Sequence, residues 1–182
     1  FNDNNGIPRN VAQMPGDGPT WLSGYTSLPD RAGANQLVAV YTKIQPPLSE
    51  YERGLCRWNE REKQFERLTV LWNRERDRGT PPAAPTGHAA FYTDEDEQRW
   101  VMFGDPFPHM KCRTTFEDWS DPTNWEVLKP QQLVTTRKGD EQIQPHRGAI
   151  AWSAYRNKWV AVFTQMNGNS STLGEIWYAE AD

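Results

Sequence analysis

In the stretch QPHRGAIAWSAYRNKWVAVFT, residues 144–164, His146 and Arg147 stand just before an apolar run. An imidazole can donate a hydrogen bond, carry a proton near neutral pH or hold a metal ion. A guanidinium can grip a carboxylate with two parallel N–H groups. His88 opens an earlier run, HAAFY, in the same way. Glu52, Asp105 and Glu175 flank other apolar runs and add carboxylates. Hydrolysis of a sugar linkage needs two carboxyl groups about 5–10 Å apart across the bond. Each of these residues also has a structural reading. A histidine can bond backbone groups in a tight channel. Arg147 can pair with an Asp or Glu of a neighbouring element, and the three carboxylates can sit in surface ion pairs.

Other patterns carry less chemistry. The run Asp94-Glu95-Asp96-Glu97 lacks the glycine and terminal glutamate spacing of a calcium loop, and reads as a solvated hairpin turn. Cys56 and Cys112 are the only cysteines, and neither lies in a C-x-x-C pattern. That speaks against structural zinc, a redox dithiol and c-type haem. Two buried free thiols are expected, because unpaired Cys packs as a small hydrophobe. Asn169-Ser170-Ser171 fits a glycosylation acceptor, a short pattern that is common by chance. His109 falls in the loop-like GDPFPHMK and takes no role. The net charge is -4, with Lys and Arg scattered among Asp and Glu. A nucleic-acid partner would need a clustered basic face. No stretch is long and apolar enough to span a bilayer. No secretory leader pattern opens the chain, and Phe1 in place of Met is what a processed or truncated product shows.

These residues must be positioned by strands. The chain is rich in Trp, Pro and Gly, and leucine is not dominant, a balance that favours strands and turns over packed helices. Residues 1–19 read as an irregular arm or connection. Strands are expected over 20–28 and 36–44, with a turn between them. The segment 49–77 admits two readings. Ser49 and Glu52 could cap a helix. Gly54, the turn signal at Trp58-Asn59 and the β-rich FERLTVLW favour strands over 53–58 and 64–72, the preferred reading. RGTPPAAPTG at 78–87 is a linker, because its prolines cannot continue a ladder. Strands follow over 88–92, 99–104, 111–116 and 125–128, with EDWSDPTN as a loop. A last set covers 147–152, 158–164 and 174–179.

The segments repeat. HAAFYTDEDEQRWVMFG aligns with RGAIAWSAYRNKWVAVFT, so that Ala90 falls on Ala149 and Phe91 on Ile150. LCRW at 55–58 resembles KCRT at 111–114, and FERL at 65–68 resembles WEVL at 125–128. The period is on the order of 60 residues, the scale of a four-stranded propeller blade. The expected fold is all-β: a β-propeller of four-stranded antiparallel blades, about three in this chain, over roughly 20–77, 88–130 and 146–182. Propellers close with four or more blades. Further blades are therefore expected on the same polypeptide or on another chain. An open β-sandwich is the alternative. Trp100 and Trp159 are expected to fill the wedge between sheets. Each inner strand opens toward the axis, so His88, His146 and Arg147 would line a central pocket, with Glu52, Asp105 and Glu175 at its rim.

From Asp17 onward, GDGPTWLSG, YERGLCRWNEREKQFERL, WSDPTNWEVL and HRGAIAWSAYRNKWVAVFTQ together resemble the five-bladed propellers of the furanosidase-type glycoside hydrolases, the arabinanase and xylosidase superfamily. They look closest to exported members of that fold, periplasmic or extracellular. The resemblance implies glycosidic cleavage by three carboxylates from different blades: an Asp base, a second Asp that orients, and a Glu acid in a Glu-Gly-Pro motif. Asp17-Gly18-Pro19 is the match to that motif, with Asp for Glu and a reach shorter by one methylene. By the same resemblance the base would come from a first blade, which this chain is expected to lack. The candidate catalytic set is then Asp17, Glu52 and Glu175. His88, His146, Arg147 and Asp105 are the candidates for binding a carbohydrate. The family's axial histidine helps hold a metal ion or water, which makes His146 the candidate ligand for an ion such as calcium. A non-catalytic propeller, acting as a subunit or scaffold, is the other reading.

Overall fold

The computed structural model describes residues 2, 5–129, 134–135, 139, 141–168 and 175–181. The glycosylation pattern at 169–171 and Gly174 lie outside them. The first sheet runs β1 (Thr20–Pro29), β2 (Asn35–Gln45), β3 (Ser49–Asn59), β4 (Gln64–Asn73) in spatial order, every pair antiparallel. The second has the same plan: β5 (His88–Thr93), β6 (Arg99–Gly104), β7 (Pro108–Arg113) and β8 (Glu126–Val127). A short ribbon, β9 (Val134–Thr135) with β10 (Gln142–Ile143), precedes the third sheet of β11 (Pro145–Ser153), β12 (Lys158–Gln165) and β13 (Ile176–Ala181). The chain is thus all-β in class, built of antiparallel sheets. Among the described residues these close into neither a barrel nor a propeller. No helix among them is long and apolar enough to cross a membrane.

Segment 49–77 forms strands, as its β-rich residues predict. EDWSDPTN differs from expectation: it holds a short helix, α1 (Phe116–Ser120), and a 3-10 turn over Pro122–Asn124. The reason is local. Thr115 Oγ1 accepts from the Asp118 backbone N–H at 3.1 Å and donates to the Asp118 carboxylate at 2.6 Å, a capping pair split between the expected strand 111–116 and the expected loop. Strand β7 accordingly ends at Arg113, ahead of that cap.

Alternation along β2 shows why the sheets stack. Val38 and Val40 join a core with Leu28, Leu55, Val101, Phe103, Cys112 and Trp119, between the first and second sheets. Ala39 and Tyr41 face the other way and pack with Met14, Cys56 and Phe65, so the N-terminal arm covers that face. A strand buried on both faces reads as a continuous apolar run, and LVAVY does. The third sheet contributes Ala161 and Phe163 to a smaller core with Ile143 and Phe107. Trp159 meets Tyr92 of the second sheet edge-on at 6.3 Å, as inter-sheet packing predicts. Trp100 is held within its own sheet, under Lys111 and Arg113 at 4.0 and 3.9 Å from its ring.

The first and second sheets are joined by backbone. Gly24 N–H donates to Gly87 C=O at 3.0 Å, and Gly87 N–H donates to Ser23 Oγ at 2.8 Å. Gly24 has φ +66°, and a Cβ there would sit 1.9 Å from the Pro85 carbonyl oxygen. Gly33, at φ +83°, has open space around it. Gly24→Ala is therefore expected to cost at least about 2 kcal/mol in urea unfolding, and Gly33→Ala about 1 kcal/mol. Equal losses would show that the joint tolerates a side chain.

Cys56 and Cys112 are free and buried, as expected. Burial pushes both thiols up to about 12. The fold favours their protonated form, so the stability they contribute is intact below the ordinary thiol value near 9 and is lost as the pH rises toward about 12. Urea titrations between about pH 9 and about pH 11 should show stability falling, by up to about 1.4 kcal/mol per pH unit for each thiol. Cys56→Ala should flatten that fall; an unchanged slope would clear this thiol as a cause.

Candidate functional site

The first strands of the three sheets lie side by side, with β5 between β1 and β11. A cleft of about 600 Å³ runs along them, lined by Ser23, Tyr25, Ser27, His88, Phe91, Asp105 and Ala149 among others. A hollow of about 290 Å³ adjoins it, lined by Thr86, Phe107, His109 and Arg147, and shares Ser23, Gly87 and Asp105 with the cleft.

Asp105 follows β6 and reaches the third sheet. Its carboxylate accepts from Arg147 Nη1 and, at 2.9 Å, from the Gly148 backbone N–H. β11 is the edge strand of its sheet, so the outward N–H of Gly148 has no partner strand of that sheet and is met by Asp105 instead. Thr164 Oγ1 accepts from Arg147 N–H at 3.3 Å, so the backbone beside it stays bonded. The glycine is required by space, since a Cβ at Gly148 would lie 2.2 Å from the Val162 carbonyl oxygen. The Arg147 side chain is 72% exposed and that of Asp105 22%. An ion pair this wet contributes at most about 1 kcal/mol.

Three of the residues singled out from the sequence are thus gathered at the inner strands: His88 and Asp105 on the cleft, Arg147 on the hollow. His146 lines neither. Its Nδ1 is buried and has no hydrogen-bond partner among the described residues. Among the described residues no group of three or more His, Cys, Asp and Glu side chains is arranged to hold a metal ion. Calcium takes six to eight hard oxygen ligands, and no cluster of three or more such side chains that would supply carboxylate oxygens is found among the described residues. His109 Nε2 lies 2.9 Å from the Ala84 carbonyl oxygen, an acceptor only, so the ring carries its proton there.

The other candidate carboxylates lie outside the lining. Glu52, on β3, is buried and accepts from Tyr41 Oη at 2.8 Å, Asn73 Nδ2 at 3.0 Å and Arg67 Nη1 at 3.3 Å. Burial, and then the bond to Glu52, raise the Tyr41 phenol above its usual range. Asp17 is exposed ahead of β1, and its carbonyl accepts from Tyr51 Oη. Glu175 precedes β13, where its carbonyl accepts from Gln165 N–H at 3.0 Å.

Sequence reasoning overlooked Lys43. Its side chain is 1% exposed, and Nζ donates to Gly18 C=O at 2.7 Å, Met14 C=O at 3.3 Å and Thr20 Oγ1 at 3.4 Å. Burial pushes its ammonium down, against the charges of Glu52 and Asp17. The signal was present: a lone lysine inside the apolar run QLVAVYTKI. A separate hollow of about 480 Å³ between the second and third sheets is lined mainly by apolar groups such as Met102, Phe107, Ile150 and Trp159.

Comparison with models of known protein families finds no match, and neither does comparison with curated proteins.

The clamp makes a graded prediction. Asp105→Ala leaves Gly148 N–H without its acceptor and should cost about 1–3 kcal/mol in urea unfolding. Asp105→Asn keeps an oxygen there and should cost less. Arg147→Ala should cost under about 1 kcal/mol. A loss in Arg147→Ala equal to that in Asp105→Ala would mean that the guanidinium, not the backbone bond, holds the sheets.

Proposed function

We propose that this chain is a run of consecutive blades from a furanosidase-type, glycoside hydrolase-like β-propeller, and that the cleft along β1, β5 and β11 binds a carbohydrate. The observation that carries this reading is the cleft's position and lining. It follows three adjacent first strands and sets exposed rings, Tyr25 and Phe91, beside the hydroxyls of Ser23 and Ser27, His88 and Asp105. Apolar surface with a few placed polar groups is what a small-molecule site offers. A sugar presents both an apolar ring face and a hydroxylated edge.

Further blades fit the outer face of the third sheet. Val162, Ile176 and Tyr178, adjacent in the ladder, are 48%, 78% and 54% exposed there. On a sheet whose opposite face is packed, such residues suit another sheet.

One observation favours the non-catalytic form of this reading. Asp105 is the only carboxylate among the described lining residues, and it already accepts from Arg147 and Gly148. Asp17, Glu52 and Glu175 stand elsewhere. Binding is therefore assigned to this chain, and cleavage is not.

Titration calorimetry of the whole chain against arabino- and xylo-oligosaccharides is expected to detect binding, weakened at least about tenfold in Tyr25→Ala or Phe91→Ala. No binding to any member of a broad glycan panel would end the carbohydrate reading. Release of nitrophenol from aryl furanosides or xylosides, abolished in Asp17→Asn, would replace the non-catalytic form with the hydrolase.

A further inference from the structure

Resting on the carbohydrate reading, we propose that the cleft and its adjoining hollow select a glycan bearing a carboxylate, a uronic acid, whose carboxylate is bound by the outward edge of Arg147. The argument begins with which donors are already used. Arg147 gives Nη1 to Asp105. Among the described residues its Nε and Nη2 have no partner, and the side chain is 72% exposed beside the hollow. Those two nitrogens share one edge of the guanidinium. Their N–H groups run parallel, the fork that matches the two oxygens of a carboxylate. Asp105 occupies the other side and so fixes which edge faces out. It acts as a positioning residue.

The neighbourhood supplies donors and spends its acceptors. The His88 ring is exposed on the cleft and bonds no described residue. Ser23 Oγ already accepts from Gly87 N–H at 2.8 Å, which leaves its own hydrogen to donate. The one carboxylate on the lining, Asp105, is engaged twice. A ligand rich in acceptors and carrying negative charge complements such a surface. Tyr25 and Phe91 farther along the cleft favour a charged sugar over a bare anion.

The test titrates the full chain, by calorimetry and by NMR, with oligomers of galacturonate, mannuronate and glucuronate and with their methyl esters, which keep the shape and remove the charge. At least one acid is expected to bind about fivefold more tightly than its ester. Arg147→Gln should abolish that ratio, Arg147→Lys should keep only part of it, and Asp105→Asn should reduce it. Arg147 is exposed, so its variants keep the fold, and the acid-to-ester ratio does not respond to a purely structural role. Equal binding of acid and ester would overturn this inference and leave the carbohydrate reading standing. So would binding of neutral arabino- or xylo-oligosaccharides with no uronate bound. Displacement of the acid by an equal concentration of inorganic phosphate would reduce the site to a general anion site and also overturn it. No binding of any glycan would remove both readings.

Discussion

The molecule depends on a constraint of burial: an antiparallel sheet with apolar residues on both faces must be covered twice. LVAVY in β2 meets it by giving Val38 and Val40 to the second sheet and Ala39 and Tyr41 to the N-terminal arm. Sheets stacked in this way need contact where they converge, at the first strands. The contact between β1 and β5 is made at glycines, because only a backbone without a Cβ lets two strands meet as closely as Gly24 and the 85–87 segment do. The candidate cleft is a product of the same convergence. It lies where three sheets come together without filling the space between them.

Polar groups inside this stack are accommodated individually. Glu52 sits in the first sheet with three donors around it, and Gly54 makes room for the Tyr41 ring, since a Cβ there would lie 2.5 Å from Tyr41 Cε1. Lys43 has carbonyl and hydroxyl oxygens in place of a carboxylate, which binds the arm to the sheet through Met14 and Gly18. A buried polar group left unbonded is costly. The bonds around these two residues are what allow them to lie inside.

Fold class and strand order were largely legible in the sequence. Alternation, turn residues and the recurrence of LCRW as KCRT report local geometry, and local geometry is what periodicity records. The helix at Phe116–Ser120 was missed because its cap residue Thr115 was read as part of a strand over 111–116 and Asp118 as loop. The site was less legible. Arg147 and His88 stand out by type and position, and Asp105 was flagged as a carboxylate near a strand. That Asp105 reaches the third sheet depends on β11 lying beside the second sheet, a long-range placement that no residue pattern announces. The donors to Glu52 were not legible because they come from Tyr41 on β2 and from Arg67 and Asn73 on β4, positions set only by sheet pairing.

The hairpin turns have a consequence of their own. Asp30 Oδ1 accepts from the N–H groups of Ala32 and Ala34, and its Oδ2 from Gln36 Nε2. Asp94 does the same with Asp96, Gln98 and Trp100 Nε1. In both, one aspartate organises the six residues after it, although at the first the Arg31 N–H also donates to Glu117 Oε1 of α1 at 3.1 Å. Short loops are cheap to close, so each hairpin carries its own nucleus, available before any sheet docks. A chain assembled from such self-starting units can lengthen by copying one of them, since the copy brings its own instructions for folding.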